Sequence, residues 1–131
     1  MPVKIQLALD FLELDRAMKV AKEAAHSVDW LEAGTPLIKS EGLEAVRRLR
    51  KAFPGKVIVA DMKIMDAGRM EVEAAAKAGA DIVDVCGQAA DATIRECVEV
   101  SRNYGARIMV DLIGVADVVE GPGRPKAWVP T

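Results

Sequence analysis

Five short apolar runs punctuate the chain, at Val3–Leu9, Trp30–Ala33, Lys56–Ala60, Asp81–Val85 and Ala106–Leu112. Their length and β-branched content read as buried strands. Each of the four intervals between them holds a helical pattern. Asp15–Ala25 places Ala17, Met18, Ala21, Ala24 and Ala25 on one face, and Leu43–Phe53 does the same with Leu43, Val46, Leu49 and Phe53. Met70–Ala78 offers Met70, Ala74 and Ala78, and Thr93–Tyr104 offers Ile94, Cys97, Val98 and Ser101. This is the spacing of an amphipathic helix.

Glycines stop these helices. Gly79 and Gly105 stand where a left-handed C′ residue belongs, and Pro54-Gly55 closes the second helix. The result is a repeated strand–helix unit of about 25 residues, the size of βα architecture. Alternating buried strands and helices imply a parallel sheet in an α/β protein. An open doubly wound sheet would show a glycine-rich fingerprint after the first strand. Here that strand ends Ala8-Leu9-Asp10-Phe11, without glycine. Charged residues recur instead at strand ends: Asp10, Glu32, Asp61 with Lys63, and Asp111. A ring of such residues is the pattern of a (β/α)8 TIM barrel.

Composition narrows the class. The chain has 131 residues, 51% of them apolar and 29% charged, with a net charge of −2. That balance suits a soluble globular protein and gives no basic footprint for nucleic acid. No apolar run is long enough for a membrane span. The N-terminus enters a strand-like run directly, so no signal peptide is expected and the expected location is cytoplasmic. Cys86 and Cys97 fit no zinc spacing and read as reduced thiols. His26, the single histidine, reads as a helix C-terminal residue complementing the dipole.

The densest chemistry lies in Ala60-Asp61-Met62-Lys63-Ile64-Met65-Asp66. Alternation along a strand puts Asp61 and Lys63 on one face. Opposite charges there form either a structural ion pair or part of a binding site. Glu32, in Trp30-Leu31-Glu32-Ala33-Gly34-Thr35-Pro36, ends the second strand before an expected tight loop at Gly34 and Thr35. In a barrel Glu32 and Asp61 point into one mouth, where two carboxylates with water and substrate oxygens suit Mg²⁺. Alone, Glu32 reads more readily as an exposed loop acid. Asp10 reads as a ligand for hydroxyls or for Lys63, or as a helix N-cap, a role Asp15 also fits. Asp111 carries the same ambiguity.

Ala8-Leu9-Asp10, Leu31-Glu32-Ala33-Gly34-Thr35-Pro36-Leu37-Ile38, Asp61-Met62-Lys63-Ile64-Met65-Asp66 and Val110-Asp111-Leu112-Ile113-Gly114 resemble the 3-hexulose-6-phosphate synthases of the orotidine-5′-monophosphate decarboxylase superfamily. The Asp-x-Lys-x-x-Asp motif marks the superfamily. Glu32 points to its Mg²⁺-dependent members, the synthases and the 3-keto-L-gulonate-6-phosphate decarboxylases. The resemblance implies a reversible aldol reaction of formaldehyde with D-ribulose 5-phosphate, a sugar-phosphate substrate. It implies that Glu32 and Asp61 hold Mg²⁺ and that Lys63, Asp66 and Asp10 are catalytic. Gly34 and Thr35 would join them in binding substrate. Asp66 would reach a neighbouring subunit's site, which implies a homodimer or larger homo-oligomer.

The family has eight strands, and this chain reaches the fifth. The expected organisation is therefore 1–120 as the N-terminal part of a barrel and 121–131 as a Gly/Pro-rich tail unlike the family, following a helix begun at Val115–Glu120. Such a piece is expected to pair with itself or with a second chain supplying the remaining strands. Two other readings stay open: a decarboxylase of the keto-gulonate type, and a non-catalytic oligomerising fragment.

Overall fold

A computed structural model describes residues 3–115. Strands β1 (Gln6–Leu9), β2 (Trp30–Ala33), β3 (Val57–Ile64), β4 (Ile82–Cys86) and β5 (Arg107–Asp111) form one sheet. All neighbours are parallel and the order in space equals the order in sequence. This sequential order is that of a barrel wall and excludes a doubly wound sheet. Helices α1 (Leu14–Ala24), α2 (Thr35–Glu41), α3 (Glu44–Ala52), α4 (Gly68–Ala78) and α5 (Asp91–Tyr104) connect the strands, with a 3-10 turn at Ala25–Ser27. The architecture of the described residues is four βα units and the fifth strand of a partial (β/α)8 barrel.

Register sorts the strand residues into two faces. Leu9, Leu31, Ala33, Ile58, Ala60, Val83 and Val85 face the helices and are buried. Ala17, Met18, Ala21, Val46, Leu49, Val72, Ala75, Ile94 and Cys97 complete that aliphatic core. The other face carries Gln6, Glu32, Val59, Ile82, Asp84 and Met109. On it the Arg107 guanidinium stands 5.7 Å from the centre of the Trp30 ring. A flat sheet would put β2 and β5 about 14 Å apart, at three strand spacings, so the contact fits a sheet curled toward this face.

Several expected boundaries move. β1 begins at Gln6, not Val3, because Ile5 donates its N–H to the Asp29 carboxylate at 2.9 Å. β3 continues to Ile64 instead of stopping at Ala60, through an irregular register between Ala60 and Ile64. The tight loop expected at Gly34 and Thr35 is instead the start of α2, with Gly34 at the N-cap and Pro36 in the first turn. Proline is favoured there because its missing N–H would have had no partner. Neither Asp10 nor Asp15 caps α1; Glu41 of α2 accepts from the Leu14 N–H at 3.2 Å. Met70 is 75% exposed and the buried face of α4 is Val72, Ala75 and Ala78, so of the predicted stripe Met70, Ala74 and Ala78 only Ala78 is buried. Alanines at positions 74, 75, 76 and 78 lie all round the second half of this helix, which leaves its phase undetermined by pattern. Gly79 and Gly105 are left-handed as expected. The predicted helix at 115–120 and the tail at 121–131 lie outside the described residues, apart from Val115.

Candidate active site

The strands β3, β4 and β5 converge on Lys63. Its ammonium lies 2.5 Å from Asp61 Oδ1, 3.2 Å from Asp111 Oδ2 and 3.6 Å from Asp84 Oδ1. β3, β4 and β5 thus each send one carboxylate to the same cation. Lys63 has φ 49°, the only positive φ of a non-glycine among the described residues. A left-handed residue of this kind costs roughly 1–3 kcal/mol and tends to mark functional sites. Here it coincides with the irregular register of β3, which turns the lysine back over the strand ends.

Burial and charge divide the acids. Burial disfavours the charged form of Asp61, yet the hydrogen bond from Lys63, with Thr35 and Asp84 beside the carboxylate, holds it below the ordinary carboxylate range. Asp84 has a side chain only 6% exposed, and burial, opposed by Lys63, pushes its pKa up to about 8. Its Oδ1 has no hydrogen-bond partner. Burial also works against Lys63, but the surrounding carboxylates hold its pKa well above the ordinary lysine value. At neutral pH the cluster is a charged lysine with ionised Asp61 beside it.

Glu32 sits next to this cluster. Burial raises its pKa, and the nearby Asp61 and Asp10 carboxylates add to the rise. Gln6 opposes it by donating from Nε2 to Glu32 Oε2. Asp10 lies just beyond β1, packed against Gly34: a Cβ at that glycine would come 1.9 Å from Asp10 Oδ1. Thr35 donates its hydroxyl to the Asp61 backbone carbonyl at 3.1 Å. Asp66 stands apart, exposed past β3, where its charge helps raise the pKa of Glu71 on α4 after burial.

The structure therefore brings together Asp10, Glu32, Gly34, Thr35, Asp61 and Lys63, and leaves Asp66 outside the cluster on this chain. It adds two residues that sequence reasoning passed over. Asp84 was absorbed into an apolar run, although a lone acid in a buried strand was the available signal. Gln6 carried no signal until its register against β2 was known. Cys86 is partly exposed at the end of β4, and Cys97 is buried on α5; both are free thiols. No helix among the described residues is long and apolar enough to cross a membrane.

Sequential parallel strands, helices on one face and an acid–lysine cluster at the strand ends define a protein of the (β/α)8-barrel class, with the Asp-x-Lys-x-x-Asp motif at its third strand. The profile of the Orotidine 5'-phosphate decarboxylase / HUMPS family matches residues 3–120, and the chain belongs to that family. It is 45% identical over 115 residues to a 3-hexulose-6-phosphate synthase of Mycobacterium gastri, covering 88% of this chain and 56% of that protein. A crystal structure of a 3-hexulose-6-phosphate synthase superposes with TM-score 0.86 at 46% identity, over 88% of this chain and 56% of the other. A 3-keto-L-gulonate-6-phosphate decarboxylase from Vibrio cholerae superposes with TM-score 0.82 at 38% identity, over 84% of this chain and 51% of the other. The chain spans about half the length of the curated relatives it matches.

Proposed function

We propose that this chain carries the metal-binding and charge-stabilising part of a Mg²⁺-dependent aldolase of the 3-hexulose-6-phosphate synthase type. The reaction is reversible addition of formaldehyde to D-ribulose 5-phosphate, giving D-arabino-hex-3-ulose 6-phosphate. The observation that carries it is the ammonium of Lys63 beside Asp61, with Glu32 adjoining. The similarity to synthases at 45% identity favours that chemistry over others in the family.

The residues fit a hard dication. Glu32 and Asp61 are adjacent, partly buried carboxylates; burial first, and then the charge of Asp61, raises the pKa of Glu32. Among the described residues no three acidic, histidine or cysteine side chains form a cage. Two protein oxygens with water and substrate completing the shell is the usual manner of Mg²⁺. Glu32 and Asp61 would hold it, and it would supply Lewis-acid stabilisation of negative charge on substrate oxygens. The remaining roles belong to side chains. Lys63 offers a fixed positive charge beside the oxygens of the 1,2-enediolate, an electrostatic contribution that requires no reorganisation. Asp61 and Asp111 keep that lysine charged and oriented, with the buried Asp84 side chain packed beside its ammonium. Asp10, braced by Gly34, is positioned to accept hydrogen bonds from sugar hydroxyls. Asp66, exposed beyond the strand, would serve the neighbouring subunit's site in a homodimer.

The test is direct. The purified chain is given formaldehyde with D-ribulose 5-phosphate, and separately 3-keto-L-gulonate 6-phosphate, each with Mg²⁺. Formation of the hexulose phosphate is expected. Turnover of the keto-acid phosphate alone would replace this reading with the decarboxylase, which the Vibrio cholerae likeness favours. No turnover of either, with a stable oligomer, would favour a non-catalytic module.

A further inference from the structure

We infer that Gln6 is a positioning residue for Glu32: it tethers one oxygen of that carboxylate and leaves the other free for a divalent cation. The inference deepens the metal reading above and rests on it. Gln6 opens β1 and pairs in register with Trp30, two residues before Glu32 on β2. Both side chains stand on the face away from the helices, with Gln6 one layer below. Its amide reaches up the barrel wall, and Nε2 donates to Glu32 Oε2.

The surroundings explain why a donor is needed. The other groups acting on Glu32 are Asp61 and Asp10, and both repel it. A carboxylate between two others swings away unless something holds it. Lys63 does this for Asp61, binding Oδ1 at 2.5 Å. Glu32 has Gln6 instead. An amide N–H fixes an oxygen without neutralising it, so the carboxylate keeps its full charge for a cation. A lysine there would compete with the metal. Outer hydrogen bonds of this type orient ligands and tune metal affinity. Length matters too: asparagine is one methylene, about 1.5 Å, shorter.

The experiment uses Mn²⁺ as probe, counting free ion by electron paramagnetic resonance in the presence of the full chain without substrate. Gln6→Ala and Gln6→Met are each expected to weaken Mn²⁺ binding about 10–100-fold, with the metal-free circular dichroism and thermal midpoint close to the parent. Gln6→Met keeps the length and removes the N–H, so it separates hydrogen bonding from packing. Gln6→Asn should not restore affinity. Mn²⁺ affinity in Gln6→Met within about twofold of the parent, where about 10–100-fold weakening is expected, would overturn the inference. If Glu32→Gln loses Mn²⁺ while both Gln6 variants keep it, the metal reading stands and Gln6 is removed from it. If the parent binds no Mn²⁺, or Glu32→Gln binds it unchanged, the metal reading falls and this inference with it.

Discussion

Gly34 presents its backbone so closely to the Asp10 carboxylate that a Cβ would lie 1.9 Å from Oδ1 and 3.0 Å from the Leu9 carbonyl oxygen. Its φ of −67° suits any residue, so space alone demands glycine. Gly34→Ala is expected to push Asp10 off its position and to cost about 1–3 kcal/mol by overpacking. In an Asp10→Ala background most of that penalty should vanish. Denaturant unfolding of the four proteins of this double-mutant cycle measures the coupling. Additive costs would mean that Gly34 is required for some contact other than Asp10.

Asp84 gives a pH dependence with a definite sign. Its folded pKa is raised to about 8, from an ordinary value of 3.8, because it is buried. The stability associated with its bound proton is complete below pH 3.8 and is lost as pH rises through about 8, while the unfolded chain ionises earlier. Asp84→Asn carries no such loss and leaves Asp61 and Asp111 to pair Lys63. The variant is expected to melt higher than the parent at pH 8 in metal-free buffer, by about 4 °C for each kcal/mol relieved. The difference should shrink toward pH 4. Equal midpoints across this range would show that the Asp84 proton is not held by burial.

At the opposite end of the sheet Arg50 ties α3 to the starts of β3 and β4. Its guanidinium pairs with Asp81 and donates to the carbonyls of Gly79 at 2.9 Å, Pro54 at 3.2 Å and Lys56 at 2.9 Å. Asp81 in turn accepts from the Ile58 N–H at 2.7 Å. Gly79 meets two demands: its φ is +109°, and a Cβ would come 2.7 Å from Arg50 Cγ. Arg50→Ala removes donors from several partly buried acceptors and should cost roughly 2 kcal/mol or more. Arg50→Lys should recover little of it, since one ammonium cannot reproduce the fork. Thermal or urea unfolding checks both, and a lysine variant as stable as the parent would reduce the network to a simple charge pair.

The fold was legible because strand identity rests on short aliphatic runs and helix ends rest on glycine, and both signals are local. Gly79 and Gly105 stop their helices where backbone conformation requires them to. The seven-residue helix Thr35–Glu41 was not legible, since it is too short to display a period. Pro36 after Gly34 was the signal available. At the site, Glu32, Asp61 and Lys63 could be read because charge at an apolar strand end is costly unless used. Gln6 and Asp84 act through neighbouring strands, and that register is not written in either strand alone. The capping of α1 by Glu41 is non-local for the same reason.

Association is the remaining expectation, and the segment after β3 is where it should occur. Met65 is 49% exposed and Met70 75% exposed, and they flank the exposed Asp66. Placing large apolar side chains in water forfeits roughly 25 cal/mol per Å², and a cluster of them marks an interaction surface. A two-fold contact through this segment would cover both methionines and carry Asp66 toward the second copy, the simplest closed arrangement for identical chains. Sedimentation at micromolar concentration is expected to report a homodimer or larger oligomer. Met70→Asp, which puts charge at the centre of the contact without touching the buried Val72–Ala75–Ala78 face, should shift the population to monomer while leaving the circular dichroism unchanged. A parent that sediments as a well-folded monomer would remove this contact, and with it the proposal that Asp66 serves a neighbouring site. An oligomer indifferent to Met70→Asp would move the contact elsewhere, with the exposed β1 and β5 sides of the described sheet the next surfaces to vary.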